Sequence, residues 1–365
     1  MRGVLAVWSK FQHLIDLNDY SVEEWNEIIF LAQNIMHHPD RYKSSLTGKI
    51  MATLFYEPST RTQMSFQSAM LRLGGGIIGF DNPATSSVSK GESIKDTTKV
   101  VSSYSDILVI RHPKEGSAKA AALTADCPII NAGDGGHLHP TQTLTDLLTL
   151  KEEKGTLSNL TIGLCGDLLN GRTVHSLLKA LSHYENNRFV LISTKELRLP
   201  SYVKNVLKAN GCTYQEVHTL EEAMPYIDVL YMTRIQRERF ASDEHYIKQK
   251  DIFILDMPKL KEAKDDLVIL HPLPRVDEIA NEVDSDPRAL YFKQALYGVY
   301  IRMALIFTML DQKSKSNGLL CGKERAGIAC TNPNCITHTE PYLPKYFRGG
   351  DVLECEYCDR KIKTI

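Results

Sequence analysis

Between residues 48 and 270 the chain alternates short β-rich runs with segments of helical periodicity, and that alternation restricts it to parallel sheets joined by crossover helices. The runs are 50–55, 77–80, 106–110, 128–131, 160–165, 189–193, 228–232 and 267–270. One compact sheet does not hold so many. The pattern predicts two doubly wound α/β halves, 1–143 and 144–290, bridged around 144–154, where a charged stretch closes at Gly155. The apolar segment 291–310 is predicted to pack back on the first half, 312–318 reads as a linker, and 319–365 differs in composition from everything before it.

The 365 residues carry a formal net charge of −1, so no global field draws the chain to nucleic acid or anionic lipid. Lys293, Gln294 and Arg302 interrupt the most apolar helix, which argues for packing over a membrane span. The first eight residues lack the apolar core of a secretory signal, and the expected compartment is the cytoplasm.

Where the first strand gives way to a helix stands Glu57-Pro58-Ser59-Thr60-Arg61-Thr62. The opening N–H groups of a helix have no intrahelical partner and carry the positive end of its dipole. Three hydroxyls and a guanidinium at that point form a phosphate cradle; an ordinary Ser cap is the bland alternative. Gly74, Gly76 and Gly79 match the spacing of a dinucleotide fingerprint. They follow a helix and precede a strand, the reverse of the order that fingerprint requires, and read as a helix stop and a tight turn.

Further strand ends deliver groups of complementary kinds. Arg111-His112-Pro113 and His139-Pro140-Thr141-Gln142 belong to the first half; Gly171-Arg172-Thr173-Val174-His175 and His271-Pro272-Leu273-Pro274 belong to the second. Ligands of parallel sheets bind at the carboxyl ends of strands. Each motif alone is weak, and their recurrence carries the weight.

Near the C-terminus, Cys330-x4-Cys335 and Cys355-x2-Cys358 form two knuckles able to surround one tetrahedral ion, with zinc the default and His338 a poor substitute ligand. So short a tail needs such a staple. From Cys321 onward there are seven Lys and Arg against six Asp and Glu, leaving no basic face for nucleic acid.

The order and text of these motifs across residues 8 to 310 resemble the catalytic chain of aspartate carbamoyltransferases. Ser59 to Thr62 and His139 to Gln142 resemble the wider transcarbamoylase family; the segment from Thr233 to Arg239, together with His271-Pro272-Leu273-Pro274, is what implies aspartate. The resemblance implies the transcarbamoylase fold and transfer of the carbamoyl group of carbamoyl phosphate to L-aspartate, in pyrimidine synthesis. By this likeness Ser59, Thr60, Arg61 and Thr62 hold the phosphate, with Arg111 neutralising it. Arg111, His139 and Thr62 donate to the carbonyl oxygen, and Gln142 accepts from the carbamoyl NH₂. Arg172, Arg234 and Gln236 orient aspartate, and the Leu273 and Pro274 carbonyls face the amino groups; the two arginines offer forked donors suited to a dicarboxylate and repellent to a cationic acceptor. No cofactor is required for the chemistry. Ser86 and Lys90, in the polar loop 81–93, reach a neighbouring subunit's site in that family, which implies a homotrimer, or a multiple of trimers, with shared active sites. Ser89 stands where relatives often carry a second lysine.

The tail resembles the zinc domain of the separate bacterial regulatory chain, here fused to the catalytic chain and without the nucleotide-binding domain. A transcarbamoylase for another amino-acid acceptor, and an inactive scaffold that assembles through the zinc tail, are the alternative readings.

Overall fold

The computed structural model describes residues 12–235, 253–311, 319–325 and 327–363. The chain forms two compact units, one of residues 1–141 with 299–365 and one of residues 142–298.

The first unit carries a four-stranded parallel sheet in the order β2-β1-β3-β4, formed by β1 (Ile50–Phe55), β2 (Gly76–Phe80), β3 (Ile107–His112) and β4 (Ile129–Asp134). Except at Ile50, β1 and β3 are buried along their length save for the last residue of β3, as expected of central strands covered on both faces. Helix α1 (Val22–His37) starts at a reciprocal Ser21–Glu24 capping box and buries Trp25, Ile28, Ile29, Ala32 and Ile35 along one face. Helix α2 (Thr60–Arg72) ends at Gly74, whose φ of 86° favours glycine. At Gly79 a Cβ would stand 2.1 Å from the Thr53 carbonyl oxygen, so β2 passes β1 too closely for any side chain there. These glycines are a stop and a close approach. Helices α3 (Ile94–Ser102) and α4 (Ser117–Ala122) complete the crossovers. The C-terminal part of the long helix Tyr291–Asp311 belongs to this unit: Phe307 meets Tyr42 edge-on at 5.5 Å, and the Arg302 guanidinium lies 5.0 Å from the Phe66 ring centre.

The tail is a four-stranded antiparallel sheet, β10 (Lys323–Glu324), β11 (Tyr346–Arg348), β12 (Val352–Cys355) and β13 (Lys361–Lys363), in sequential order. It is not an isolated module. Ile336, Leu343, Phe347, Leu353 and Tyr357 share one buried cluster with Leu108, Ile110, Ala118 and Ala121 of the first unit.

The second unit holds a five-stranded parallel sheet ordered β7-β6-β5-β8-β9, from β5 (Thr161–Cys165), β6 (Arg188–Ile192), β7 (Thr213–Val217), β8 (Val229–Met232) and β9 (Val268–Leu270). Helix α5 (Pro140–Lys154) precedes β5; α6 (Arg172–Leu181) and α7 (Ser201–Ala209) follow β5 and β6. Its core packs Val190, Leu230, Ile269 and Phe253 with Tyr291.

Among the described residues no helix is long and apolar enough to cross a membrane. The expectations for the first eight residues, the linker 312–318 and Gln236 with Arg237 to Arg239 fall outside the described residues.

Candidate active site and metal centre

In each parallel sheet the strand order reverses once, between β1 and β3 in the first unit and between β5 and β8 in the second. Connections from two adjacent strands diverge there, leaving a crevice beyond their carboxyl ends.

The first crevice has an uncapped helix start. Ser59 is the residue before α2, yet its side chain makes no capping bond and its hydroxyl donates to Thr62 Oγ1 at 3.0 Å. The first-turn N–H groups of α2 are thereby left for another acceptor. Thr60 and Arg61 are exposed there, and Ser59 and Thr62 are half-buried. Arg111, 7% exposed, sits near the end of the adjacent β3. It donates from Nη1 to the Ala132 carbonyl at 3.2 Å and from Nη2 to Glu57 Oε1 at 3.2 Å, and its buried Nε has no partner. A buried guanidinium with an unused donor is equipped to take an anion. The β4 end loop brings His139 to the same place: a Cβ on Gly133 (φ 121°) would lie 2.7 Å from Arg111 Nη1 and 3.5 Å from His139 Cδ2. Ser86 joins two short turns, Pro83–Thr85 and Ser87–Lys90, and its hydroxyl donates to the Pro83 carbonyl; Lys90, exposed, ends the second turn.

Gln142, in the first turn of α5, donates from Nε2 to Asp146 Oδ1 at 2.8 Å. A carboxylate only accepts, so the amide nitrogen must face Asp146 and the Gln142 carbonyl oxygen is left as the acceptor. Asp146 is fully buried and also accepts from Gln294 Nε2 at 2.6 Å and Tyr231 Oη at 3.0 Å.

In the second crevice Arg172 is the first residue of α6, after the loop that leaves β5. Arg234 follows β8, where Thr233 ties back to β5 by donating from its N–H and its hydroxyl to the Cys165 carbonyl, both at 2.9 Å. Both arginines are half-buried. At the end of β9, His271 is 2% exposed. Its Nδ1 accepts the Leu273 N–H at 2.8 Å and its Nε2 meets Glu278 Oε1 at 2.7 Å, which defines the Nε2–H tautomer. Burial would raise the Glu278 carboxyl, but hydrogen bonds from His271 and the Val276 N–H outweigh it and hold the group below its ordinary value. Leu273 adopts φ 53°, a region costly for a branched residue, and precedes a cis Pro274. His175, the other imidazole of these motifs, is structural: it bonds the Leu168 carbonyl through Nε2 at 2.8 Å and the Tyr202 hydroxyl through Nδ1 at 2.9 Å.

In the tail, the Sγ atoms of Cys330, Cys335, Cys355 and Cys358 all lie within 4.8 Å of one another and are buried. Cys330 and Cys358 are 3.5 Å apart and Cys335 and Cys355 3.9 Å apart. A tetrahedron of thiolates about 2.3 Å from an ion has edges of about 3.8 Å. The set fits a closed four-thiolate metal site.

Residues 12–152 match the aspartate/ornithine carbamoyltransferase carbamoyl-P binding domain, and residues 158–309 the Asp/Orn binding domain of the same enzymes. The chain belongs to the aspartate/ornithine carbamoyltransferase family. Among carbamoyltransferase relatives, the aspartate carbamoyltransferase catalytic subunit of Clostridium perfringens strain SM101 is 59% identical over 304 residues, covering 83% of this chain and 99% of that one. That of Clostridium kluyveri strain ATCC 8527 is 58% identical over 301 residues, 82% of this chain and 98% of its own. The catalytic subunit of M. jannaschii aspartate transcarbamoylase superposes with a TM-score of 0.78 at 46% identity, covering 82% of this chain and 98% of that one. The Trypanosoma cruzi enzyme in complex with N-(phosphonacetyl)-L-aspartic acid gives 0.77 at 38% identity, with 83% and 97% covered. Beyond the carbamoyltransferase region, residues 325–365 match the metal binding domain of the aspartate carbamoyltransferase regulatory chain.

Four polar residues that support these groups had not been singled out from the sequence: Asp146, Glu278, Asp134 and His137. For His137 the only signal was its place two residues before His139 in a loop after a strand.

Proposed function

We propose that the chain catalyses attack of the L-aspartate amine on the carbonyl carbon of carbamoyl phosphate, forming the C–N bond of N-carbamoyl-L-aspartate and breaking the C–O bond to phosphate, as a cytoplasmic step of pyrimidine synthesis. The observation that carries this reading is that one chain of this family has two cationic crevices of different build: an uncapped helix start beside buried Arg111 in one unit, and two arginines after adjacent strands in the other. The first suits a phosphate and a polarised carbonyl, the second a dicarboxylate. The carbamoyl-phosphate half is taken as residues 1–143 with the helix 291–310, the aspartate half as 144–290, and the zinc domain as 319–365.

In this mechanism the α2 N–H groups, Ser59, Thr60, Arg61 and Thr62 bind the phosphate. Arg111, His139 and Thr62 donate to the carbonyl oxygen as negative charge grows on it in the tetrahedral transition state. The Gln142 carbonyl oxygen accepts from the carbamoyl NH₂, and its amide is fixed for that purpose by Asp146. Arg172, Arg234 and Gln236 grip the aspartate carboxylates, while the Leu273 and Pro274 carbonyls orient the amines. No covalent nucleophile is needed; positioning and electrostatics supply the rate. Cys330, Cys335, Cys355 and Cys358 hold zinc, which has a structural role with no open position.

Ser86 and Lys90 complete the site of an adjacent subunit in a homotrimer. In support, the outer face of α2 and the edge strand β2 leave Met64, Leu71 and Ile78 exposed by 62%, 57% and 40%, an apolar surface suited to a second copy of the chain.

A colorimetric assay for the ureido product, run with aspartate and ornithine side by side, tests the reaction: product from ornithine alone would reverse the acceptor assignment. Mixing inactive Lys90→Ala with inactive Arg61→Ala protein tests the shared site. Subunit exchange should restore part of the activity, and none despite proven exchange would confine the loop to its own subunit.

A further inference from the structure

The tail is fastened to the loops that leave β3 and β4. Glu115 exchanges two backbone hydrogen bonds with it, N–H to the Asn334 carbonyl at 3.0 Å and carbonyl from the Ile336 N–H at 2.9 Å. Lys119 pairs with the buried Glu356 at 2.7 Å. At Gly116 a Cβ would lie 2.5 Å from Tyr357 Cβ, so the surfaces meet without a gap.

One of these contacts runs on into the anion crevice. His137 Nε2 lies 2.9 Å from Asp359 Oδ2 of the tail, and its Nδ1 lies 3.1 Å from Asp134 Oδ2 at the end of β4. A ring with a carboxylate at each nitrogen donates at both, so His137 is an imidazolium bridging two anions. Its side chain is 14% exposed and that of Asp134 2%. Asp134 in turn accepts the N–H groups of Gly116 at 2.7 Å and Leu138 at 3.1 Å, and the Asn131 amide at 3.1 Å. Asn131 Oδ1 accepts the Gly133 N–H at 2.9 Å, and Gly133 is wedged against Arg111 and His139.

We propose that His137 is a positioning residue: held by Asp359 on one side and Asp134 on the other, it lets the docked tail set the conformation of the 131–139 loop and so the aim of Arg111 and His139 at carbamoyl phosphate. The inference rests on the assignment of those two residues to the carbamoyl-phosphate site. It gives the fused tail a part in substrate binding beyond a structural one.

The test uses the full chain with its metal. His137→Ala, Asp359→Asn and the double variant are compared with wild type for kcat, for KM of each substrate, and for binding of inorganic phosphate by titration calorimetry. Each single variant should raise the carbamoyl phosphate KM and weaken phosphate binding by about tenfold. The double variant should be no worse than His137→Ala, because both break one chain of contacts. The aspartate KM at saturating carbamoyl phosphate and the zinc content should hold. Lys119→Met, which breaks a different contact to the tail, should lower thermal stability and leave phosphate binding intact. Unchanged phosphate binding in Asp359→Asn, which retains the side chain's size, would overturn the proposal, as would an equal loss in Lys119→Met. A wild type that binds phosphate but transfers no carbamoyl group to aspartate would instead refute the reaction, and the phosphate measurements would still judge the loop.

Discussion

His271 and Glu278 form a buried pair, Nε2 to Oε1 at 2.7 Å, that leaves the opposite ring nitrogen facing the N–H of Leu273. The pair therefore fixes the turn at Leu273, whose carbonyl, with that of Pro274, is proposed to orient the amines. Glu278→Ala would strand the imidazole and free the tautomer. We expect a loss of about 1–3 kcal/mol in stability of the second unit, and in the surviving folded enzyme a lower kcat with a raised aspartate KM. Thermal unfolding and steady-state kinetics check this; wild-type kinetics in a destabilised variant would make the pair purely structural.

Gln142→Ala removes the acceptor that Asp146 holds in place. Losing one hydrogen bond to a neutral group should cost about 1–2 kcal/mol, seen as a five- to thirtyfold fall in kcat/KM for carbamoyl phosphate. Aspartate affinity, measured with carbamoyl phosphate saturating, should change little.

Arg234→Ala should act on the other substrate. Removing a charge-assisted fork to a carboxylate costs roughly 2–5 kcal/mol. The aspartate KM should rise and turnover fall while phosphate still binds with wild-type affinity in calorimetry. Unaltered aspartate kinetics would make the acceptor assignment wrong.

Acid should destabilise the fold before most carboxylates titrate. His13 and His112 are both pushed down to about 4 by burial, and both accept a backbone N–H at Nδ1, from Ile129 at 3.2 Å and Lys114 at 3.0 Å. The unfolded chain binds more protons than the folded one from 6.5 down to about 4, so stability is present above that window and lost as pH falls through it. His137 has the opposite sign. Burial lowers it, but Asp134 and Asp359 raise it well above 6.5, so its contribution is complete below that value and lost as pH rises through the folded pKa. Denaturant unfolding from pH 8 to pH 4 should show a decline that starts near 6.5, and His13→Asn, which keeps an acceptor but cannot protonate there, should flatten it.

Metal removal, or Cys355→Ser, should affect more than the tail. Because Phe347, Leu353 and Tyr357 share a core with Leu108 and Ala118, unfolding of the tail uncovers apolar surface on the first unit. Calorimetry should show that unit melting earlier, while the melting of the second unit is unchanged.

Much of this molecule was legible in the sequence because its determinants are local. The strand-to-helix change at Ser59, the glycine stop at Gly74 and the four-cysteine spacing each depend on a few adjacent residues. Strand β7 was missed because Thr213–Val217 is an edge strand, mostly polar and exposed, with no apolar run to announce it. β3 extends two residues beyond its apolar run, to His112, because it pairs with Asp134 of β4 across a register shift. Support residues were hidden for a similar reason. His137 and Asp359 are 222 positions apart, and Asp146 and Gln294 are 148 apart, so nothing in the text of the chain marks either pair.

The tail and the surface it covers belong to one polypeptide, and that alters how their contact responds to dilution. A docking partner supplied as a separate chain leaves as its concentration falls below its dissociation constant. A tethered one sees its target at an effective concentration on the order of millimolar, whatever the amount of protein. Its occupancy is set by a unimolecular equilibrium, so every chain is made with its own tail in a fixed one-to-one ratio. Association weak enough to be useless between separate molecules is sufficient here.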